Sequence, residues 1–485
     1  MTFSFSSSSE KCFIPPHVQQ GGKTQNWLNH GGDLYNRRYA EKETKISPST
    51  ASKLRLKWEF YAGRDITATP AIFNGTLYFP SWNGYLYAVK ASDGSLIWKK
   101  NLQDLTGLEP TATPTVVGDL LITGIYGPAV VIAVERSTGK LVWSTQLVNS
   151  SAGVITLSGT YFQGGFYVGT SSLEETLSIE ECCVFRGSFF KLSALTGAVL
   201  WQTYMLPDNN GSRGEYAGAA IWGSSPSIDK SRNSVFIATG NLYSAPSRIL
   251  ECQERQNNQT TPISDPNECY RQIGGYDVWI LACNGPSTNP NCPPGPNPDA
   301  DFSEAPMMLS IRVNETYSPD IVTAVQKSGF AWTLDRDNGD IVWFTEAGPG
   351  SFAGGGYWGA ATDKKRVYTN IANAGALNFT LIPSHRNTTA GGWVAMDANS
   401  GEILWSTGDP YNATASGPVS VANGVLFGGS TSGRGPIYAK DAKTGHILWS
   451  YDDGCIYVGN GYKTGIAASF PSYTAGTSLF AFCIQ

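Results

Sequence analysis

The chain has 485 residues, a formal net charge of −5 and only 15% charged side chains. That balance excludes a nucleic-acid binder, which needs a clustered basic face, and no basic run or heptad series occurs. Length alone allows two or more domains, but 54 Gly, 27 Pro, 14 Trp and 12% aromatics suit one large all-β repeat of short strands and many turns.

The N-terminus, "MTFSFSSSSEKCF", lacks the apolar core of a signal peptide, and residues 1–25 are expected to form a disordered extension. No apolar run approaches the roughly 18 residues that span a bilayer. Eight Asn-x-Ser/Thr sequons occur, at Asn74, Asn149, Asn210, Asn258, Asn314, Asn378, Asn387 and Asn412. Nine cysteines include Cys252, Cys269, Cys283 and Cys292 in a polar, Pro-rich stretch where disulfides are common. These features point to a secreted glycoprotein, extracellular or in a vacuolar lumen, with its signal absent or trimmed. A cytoplasmic location is the alternative.

From residue 54 onward one template recurs. "KLRLKWEFYAG" carries Trp58. "KASDGSLIWKK" (90–100), "ERSTGKLVWST" (135–145), "SALTGAVLWQT" (193–203), "DRDNGDIVWFT" (335–345), "DANSGEILWST" (397–407) and "DAKTGHILWSY" (441–451) follow. Each of these six reads as an apolar run, a turn ending in Gly, an apolar pair and a Trp, the pattern of a hairpin whose Gly takes a positive φ, while Trp58 marks a further strand. Trp98, Trp143, Trp201, Trp343, Trp405 and Trp449 then mark equivalent strands, as large core rings that staple one unit to the next. The 142-residue gap between Trp201 and Trp343 leaves room for a unit without the motif.

A period of about 40–60 residues with four strands each predicts an all-β, eight-bladed β-propeller. Residues 26–485 are expected to form that single domain, closed by pairing of the region 33–62 with the C-terminal "SLFAFCIQ". The fourth blade is expected to be incomplete. Between Asn241 and "QIGGYDVWILAC" the chain is short and polar, as if one strand and its turn were missing.

The Trp repeats resemble the tryptophan-docking motifs of quinoprotein alcohol dehydrogenases, enzymes that use pyrroloquinoline quinone (PQQ) in eight-bladed propellers. The likeness runs from "NWLNHGGDLYNRRYAEKETKISPSTASKLRLKWEF" (26–60) to the C-terminus. It is most similar to the polyvinyl-alcohol-dehydrogenase-like branch, whose plant members share the "PNPDADF" and "ECC" stretches. The resemblance implies a PQQ- and Ca²⁺-dependent oxidoreductase acting on the hydroxyl of a small or oligomeric alcohol. "VGTSSLEE" places a calcium ligand at Glu174, "FIATGN" a second at Asn241, and "DADF" the catalytic base and third ligand at Asp301. "VQKSGFAWTLDRDNG" places at Lys327 the cation that faces the quinone oxygens, and "GAAIWGSSPSID" places at Trp222 the ring beneath the quinone. Oxygen donors suit Ca²⁺, a flat indole suits a planar cofactor, and a carboxylate suits removal of an alcohol proton. Singly, each has a plainer reading as a solvated acid, a turn former, a hairpin lysine or one more core ring. Their joint occurrence in family order carries the assignment.

Several family features are absent. After "TATPAI" and "TATPTVV" there is neither the acid nor the arginine that the family directs at the cofactor carboxylates. The doublet Cys182–Cys183 lies in the third blade rather than early in the propeller, leaving a vicinal bridge and separate pairings both open. No Cys-x-x-Cys-His occurs, so no covalent haem is expected. Two other functions therefore stand beside dehydrogenation. One is a propeller that has lost the quinone and binds or transforms a small specialised metabolite in its funnel, with Asp301 as acid/base. The other is a non-catalytic secreted glycoprotein.

Overall fold

Each Trp repeat folds as the outer hairpin of an antiparallel sheet, for a local reason. In 90–100 the strand Tyr85–Lys90 turns through Gly94, at φ +71°, into Leu96–Asn101. The positive φ favours Gly on its own. A second demand comes from the neighbouring unit, because a Cβ on Gly94 would lie 2.6 Å from the indole of Trp58. The same holds for Gly139 against Trp98, Gly197 against Trp143, Gly401 against Trp343 and Gly445 against Trp405. Each of these rings also donates its Nε1–H to a carbonyl in the next turn. The pairs are Trp58 to Ala91, Trp98 to Arg136, Trp143 to Ala194, Trp343 to Ala398 and Trp405 to Ala442, all at 3.0–3.1 Å. Ring, turn glycine and hydrogen bond together form an inter-blade staple.

The protein, seen in a computed structural model, is described over residues 2–4, 26–106, 112–178, 181–223, 225–249, 251, 299–316, 318–350, 353–451, 457–464, 468 and 473–484. Six four-stranded antiparallel sheets form blades A (71–101), B (115–146), C (160–204), D (307–346), E (361–408) and F (420–451). Blade G has three strands and closes the ring. In it Leu54–Tyr61 pairs with Ser478–Ile484 from Leu54↔Ile484 to Tyr61↔Ser478, and Val458–Gly459 adds the third strand. The described residues therefore build seven blades, not the eight expected. In the remaining place, between C and D, the ladder Ser227–Asp229 with Ser234–Phe236 takes up the apolar sequence available, and the backbone of Thr2–Ser4 pairs beside it. The polar stretch 252–298, with its four cysteines and the missing-strand expectation, lies outside the described residues, as does most of 1–25.

The segment 27–40 explains how the blades share an axis. Trp27 bonds to Ile72 of blade A, Leu28 to Val116 of B, Leu34 to Ile228, Tyr35 to Met308 of D, Arg37 to Thr362 of E, and Arg38 and Ala40 to Val421 of F. All six partners lie on or beside the first strand of their sheets. Fourteen residues reach at most about 50 Å when extended, so they meet six sheets only where those first strands converge. This segment floors the central channel.

Candidate functional site

Above that floor opens a cavity of about 1530 Å³. Its aromatic wall includes Trp82, Tyr126, Trp222, Tyr357, Trp358 and Tyr462. Trp358 meets Trp222 edge to face at 5.2 Å, and Tyr462 meets Trp358 at 6.0 Å. Set into this wall are Glu175, Asp299, Asp301 and one ammonium, Lys327.

Asp301 is the most constrained of the acids. Its Oδ2 accepts hydrogen bonds from Trp222 Nε1 (2.8 Å) and Lys327 Nζ (3.1 Å), and its Oδ1 accepts the backbone N–H of Asn241 (2.6 Å). Gly240 permits this approach, since a Cβ there would lie 2.9 Å from Asp301 Oδ1. The Asp301 carbonyl in turn accepts the Lys327 backbone N–H. Lys327 Nζ also donates to Asp299 Oδ2 at 2.8 Å and lies 4.9 Å from the centre of the Trp222 ring. Burial alone would lower the lysine pKa, but Asp301, Tyr357 and Asp299 hold it well above its ordinary value, so the ammonium is permanent. Burial pushes the Asp299 carboxyl well above the usual carboxylate range despite the lysine. Burial, with the Asp301 charge, raises Glu175 to about 7.

Of the five residues singled out from sequence, Trp222, Asp301 and Lys327 meet at one point of the cavity wall. Asn241 reaches Asp301 through its backbone, while its side-chain Nδ2 donates to Leu242 O at 2.7 Å. Glu174 turns away. Its Oε2 accepts the backbone N–H groups of Val184 (2.7 Å) and Phe185 (2.8 Å), just past the Cys182–Cys183 bridge. Of the pairings left open for the doublet the structure has the vicinal one, and it packs in an apolar cluster with Phe185, Tyr243 and Trp222. The donor set expected for calcium therefore does not fit as arranged. Of Glu174, Asn241 and Asp301, only Asp301 opens onto the cavity. Among the described residues no three His, Cys, Asp or Glu side chains gather as metal ligands. The quinone expectation fares better, because a planar group has an indole, an ammonium and room beside them.

Two wall residues were given no role from the sequence. Asp299 carried a usable signal: in an extended chain, residues i and i+2 face one side, and Asp299 and Asp301 both reach Lys327. Glu175 carried none. The 3-10 turn Glu174–Thr176 sends one glutamate inward to backbone and the other to the cavity, and two adjacent identical residues cannot be told apart by composition.

The fold and this wall define a β-propeller with an axial ligand site. The chain belongs to the PQQ-dependent quinoprotein alcohol dehydrogenase-like family. The PQQ_2 family model, described as "Outer membrane protein assembly factor BamB", matches residues 49–276 and 390–454. Polyvinylalcohol dehydrogenase of a Pseudomonas species is 26% identical over 456 residues, covering 88% of this chain and 67% of the relative. The enzyme of the same name from Sphingopyxis strain 113P3 is 26% identical over 475 residues, covering 92% and 69%. Among solved structures, quinohemoprotein alcohol dehydrogenase from Comamonas testosteroni superposes with a TM-score of 0.64 at 18% identity, over 89% of this chain and 74% of that one. At that identity the superposition speaks for the fold alone. No helix among the described residues is long and apolar enough to cross a membrane.

Proposed function

We propose that this protein is an alcohol-oxidising dehydrogenase of the quinoprotein type, with Asp301 as the base. One observation carries the reading. A carboxylate with three N–H donors fixed on it stands in an aromatic cavity beside an ammonium that lies over an indole. Asp301 takes the proton of a substrate hydroxyl placed against its cavity side, and its donors keep it aimed there. Lys327 offsets negative charge that develops near Asp301 and stays protonated while doing so. Trp222 and Lys327 would hold PQQ, which when bound would supply the two-electron acceptor. The relatives named for polyvinyl alcohol support a hydroxylated oligomer as substrate. No step is assigned to calcium.

The test is titration of the protein with PQQ, read by quenching of tryptophan fluorescence, followed by reduction of an artificial dye on addition of alcohol. Saturable quenching and dye turnover are expected, with turnover lowered about 10²–10⁴-fold in Asp301→Asn. Absence of both rejects the reading. The unassembled calcium set favours a second one, acid–base chemistry by Asp301 on a ligand in a quinone-free funnel. It predicts no PQQ binding, together with a cofactor-independent activity that Asp301→Asn abolishes.

We also infer passage through a glycosylating compartment. All seven described sequon asparagines, Asn74, Asn149, Asn210, Asn314, Asn378, Asn387 and Asn412, are exposed. Protein from a eukaryotic secretory host is expected to lose mass on treatment with an N-glycosidase. An unchanged mass rejects the inference.

A further inference from the structure

At the floor of the cavity Arg38 is a cation whose bonded partners are all neutral. It is 5% exposed and lines the cavity. Nε donates to Val419 O at 2.7 Å, Nη1 to His30 O at 2.8 Å and Nη2 to Ser420 Oγ at 3.2 Å. A guanidinium carries five N–H groups, so two have no partner among the described residues. His30 Nε2 lies 3.4 Å from Nη1 but donates its own hydrogen to Trp358 O at 2.9 Å, so it cannot accept another. Burial and the Arg38 charge lower that imidazole to about 3 and keep it neutral. Glu304 acts on Arg38 only at a distance, and burial keeps its proton on up to about pH 8. Burial lowers the guanidinium itself only to about 10. At neutral pH the floor therefore holds one unmatched positive charge, which is costly away from water unless a counter-ion joins it.

The surroundings fix the guanidinium and leave space beside it. Its stem lies against Gly359, where a Cβ would come 2.9 Å from Arg38 Cδ. The Arg38 backbone is held at φ +46°, a left-handed conformation unfavourable for a residue with a side chain. His30, Gly417 and Ser420 are half-buried and line the same cavity, and a Cβ on Gly417 would meet nothing within 4 Å. We propose that Arg38 and the Ser420 hydroxyl bind a small monoanion, a halide or a short carboxylate, at the floor of the cavity. Ser420 Oγ accepts from Arg38, so its own hydrogen is left to donate to the anion, and the guanidinium supplies charge-assisted bonds. One negative charge matches one positive charge. A dianion would leave the floor net negative, and a neutral ligand would leave the guanidinium unmatched. The site is distinct from the Asp301–Lys327 wall and needs neither a quinone nor turnover.

The test is NMR titration of the wild-type protein at pH 7 with chloride, read as chloride-35 line width, and with acetate, read as methyl proton line width. Broadening that saturates at one site per chain is expected. Its appearance with chloride assigns a halide, and its appearance with acetate assigns a carboxylate. Arg38→Gln is expected to lose the saturable part, and Ser420→Ala to raise the dissociation constant about tenfold or more, the value of one hydrogen bond to a charged group. Wild-type crystals grown in the anion that binds, with bromide standing for a halide, are expected to show it within hydrogen-bond reach of the Arg38 Nη atoms. The proposal is overturned if neither anion binds saturably, if binding is undiminished in Ser420→Ala, or if the crystals place the anion elsewhere. Those measurements stand even if Arg38→Gln does not fold.

Discussion

Two regions of the ring hold neighbouring units together by different physics. Along A–B–C, and again along D–E–F, adjacent units are joined by a buried or half-buried indole, a turn glycine beneath it and one N–H···O bond. Between C and D, where the short ladder replaces a full sheet, the junction with blade D is a net of charges. Arg336 Nη1 and Arg232 Nη1 both reach Asp229 Oδ2, at 2.7 and 3.0 Å. Arg232 extends to Asp320 (2.8 Å) and Asp337 (2.6 Å), and Arg336 also reaches Asp320 (3.1 Å). Burial alone would raise the Asp229 carboxyl, but bonds from Ser231 and Arg232 and the Arg336 charge outweigh it and hold it below the usual range. The three-residue strand Ser234–Phe236 buries one ring against blade D, Phe236 beside Met308 and Val322. Paired guanidinium and carboxylate groups add to that small apolar contact where no tryptophan staple forms.

The contrast predicts different responses to substitution. Trp405 is 1% exposed. In Trp405→Ala the lost ring leaves a cavity and removes one of the two hydrogen bonds to the Ala442 carbonyl, the other coming from the Tyr368 hydroxyl, and a cost of about 3–5 kcal/mol is expected, insensitive to salt. Asp229→Ala leaves Arg232 and Arg336 together on Asp320, with Asp337 still on Arg232. About 2–3 kcal/mol is expected there, less than for stranding a fully buried charge, because both cations keep a carboxylate and Arg232 is partly solvated. Its cost should shrink as salt screens the two cations. Denaturant melts of both variants at low and high salt check the pair. Equal salt dependence would show that the two junctions are not held in different ways.

The staples were legible in the sequence because staple and motif are the same residues. The Gly sits four residues before its own blade's Trp but packs under the Trp of the preceding blade, so each motif supplies half of two successive staples. The C–D junction was not legible in that way. Asp229, Arg232, Asp320, Arg336 and Asp337 come from two distant stretches, and a surface charge has no period to betray its partner. The cavity wall lay between these cases. Asp301, Lys327 and Trp222 could be picked out by family order, but the direction in which Glu174 and Glu175 point depends on backbone N–H groups at 184 and 185. That choice is made by tertiary structure alone. The blade count failed for a related reason: spacing shows that chain is present in the gap, not that its strands complete a sheet.

A smaller effect probes the seam where the floor segment meets the D and E blades. Glu304 is fully buried there, with Oε1 accepting Thr369 Oγ1 at 2.8 Å and Oε2 unpartnered among the described residues. Burial raises its pKa from 4.5 to about 8, although the Thr369 bond and the Arg38 charge pull the other way. The unfolded chain releases this proton near 4.5, so between that pH and about 8 the native state binds more protons than the unfolded one. Stability therefore falls as pH rises through that window and levels off above it. Glutamine keeps the oxygen that Thr369 needs and removes the titration. Glu304→Gln is accordingly expected to be less stable than, or equal to, the wild type at pH 5 and to gain on it by about 1 kcal/mol or more by pH 9. Glu175, which titrates near 7, slopes the same way in both proteins and drops out of the difference. Parallel curves for the two proteins from pH 5 to 9 would show that Glu304 is already ionised at neutral pH. The Arg38 guanidinium would then have a full counter-charge, and this seam would join the C–D junction as a place where the ring is held by ions.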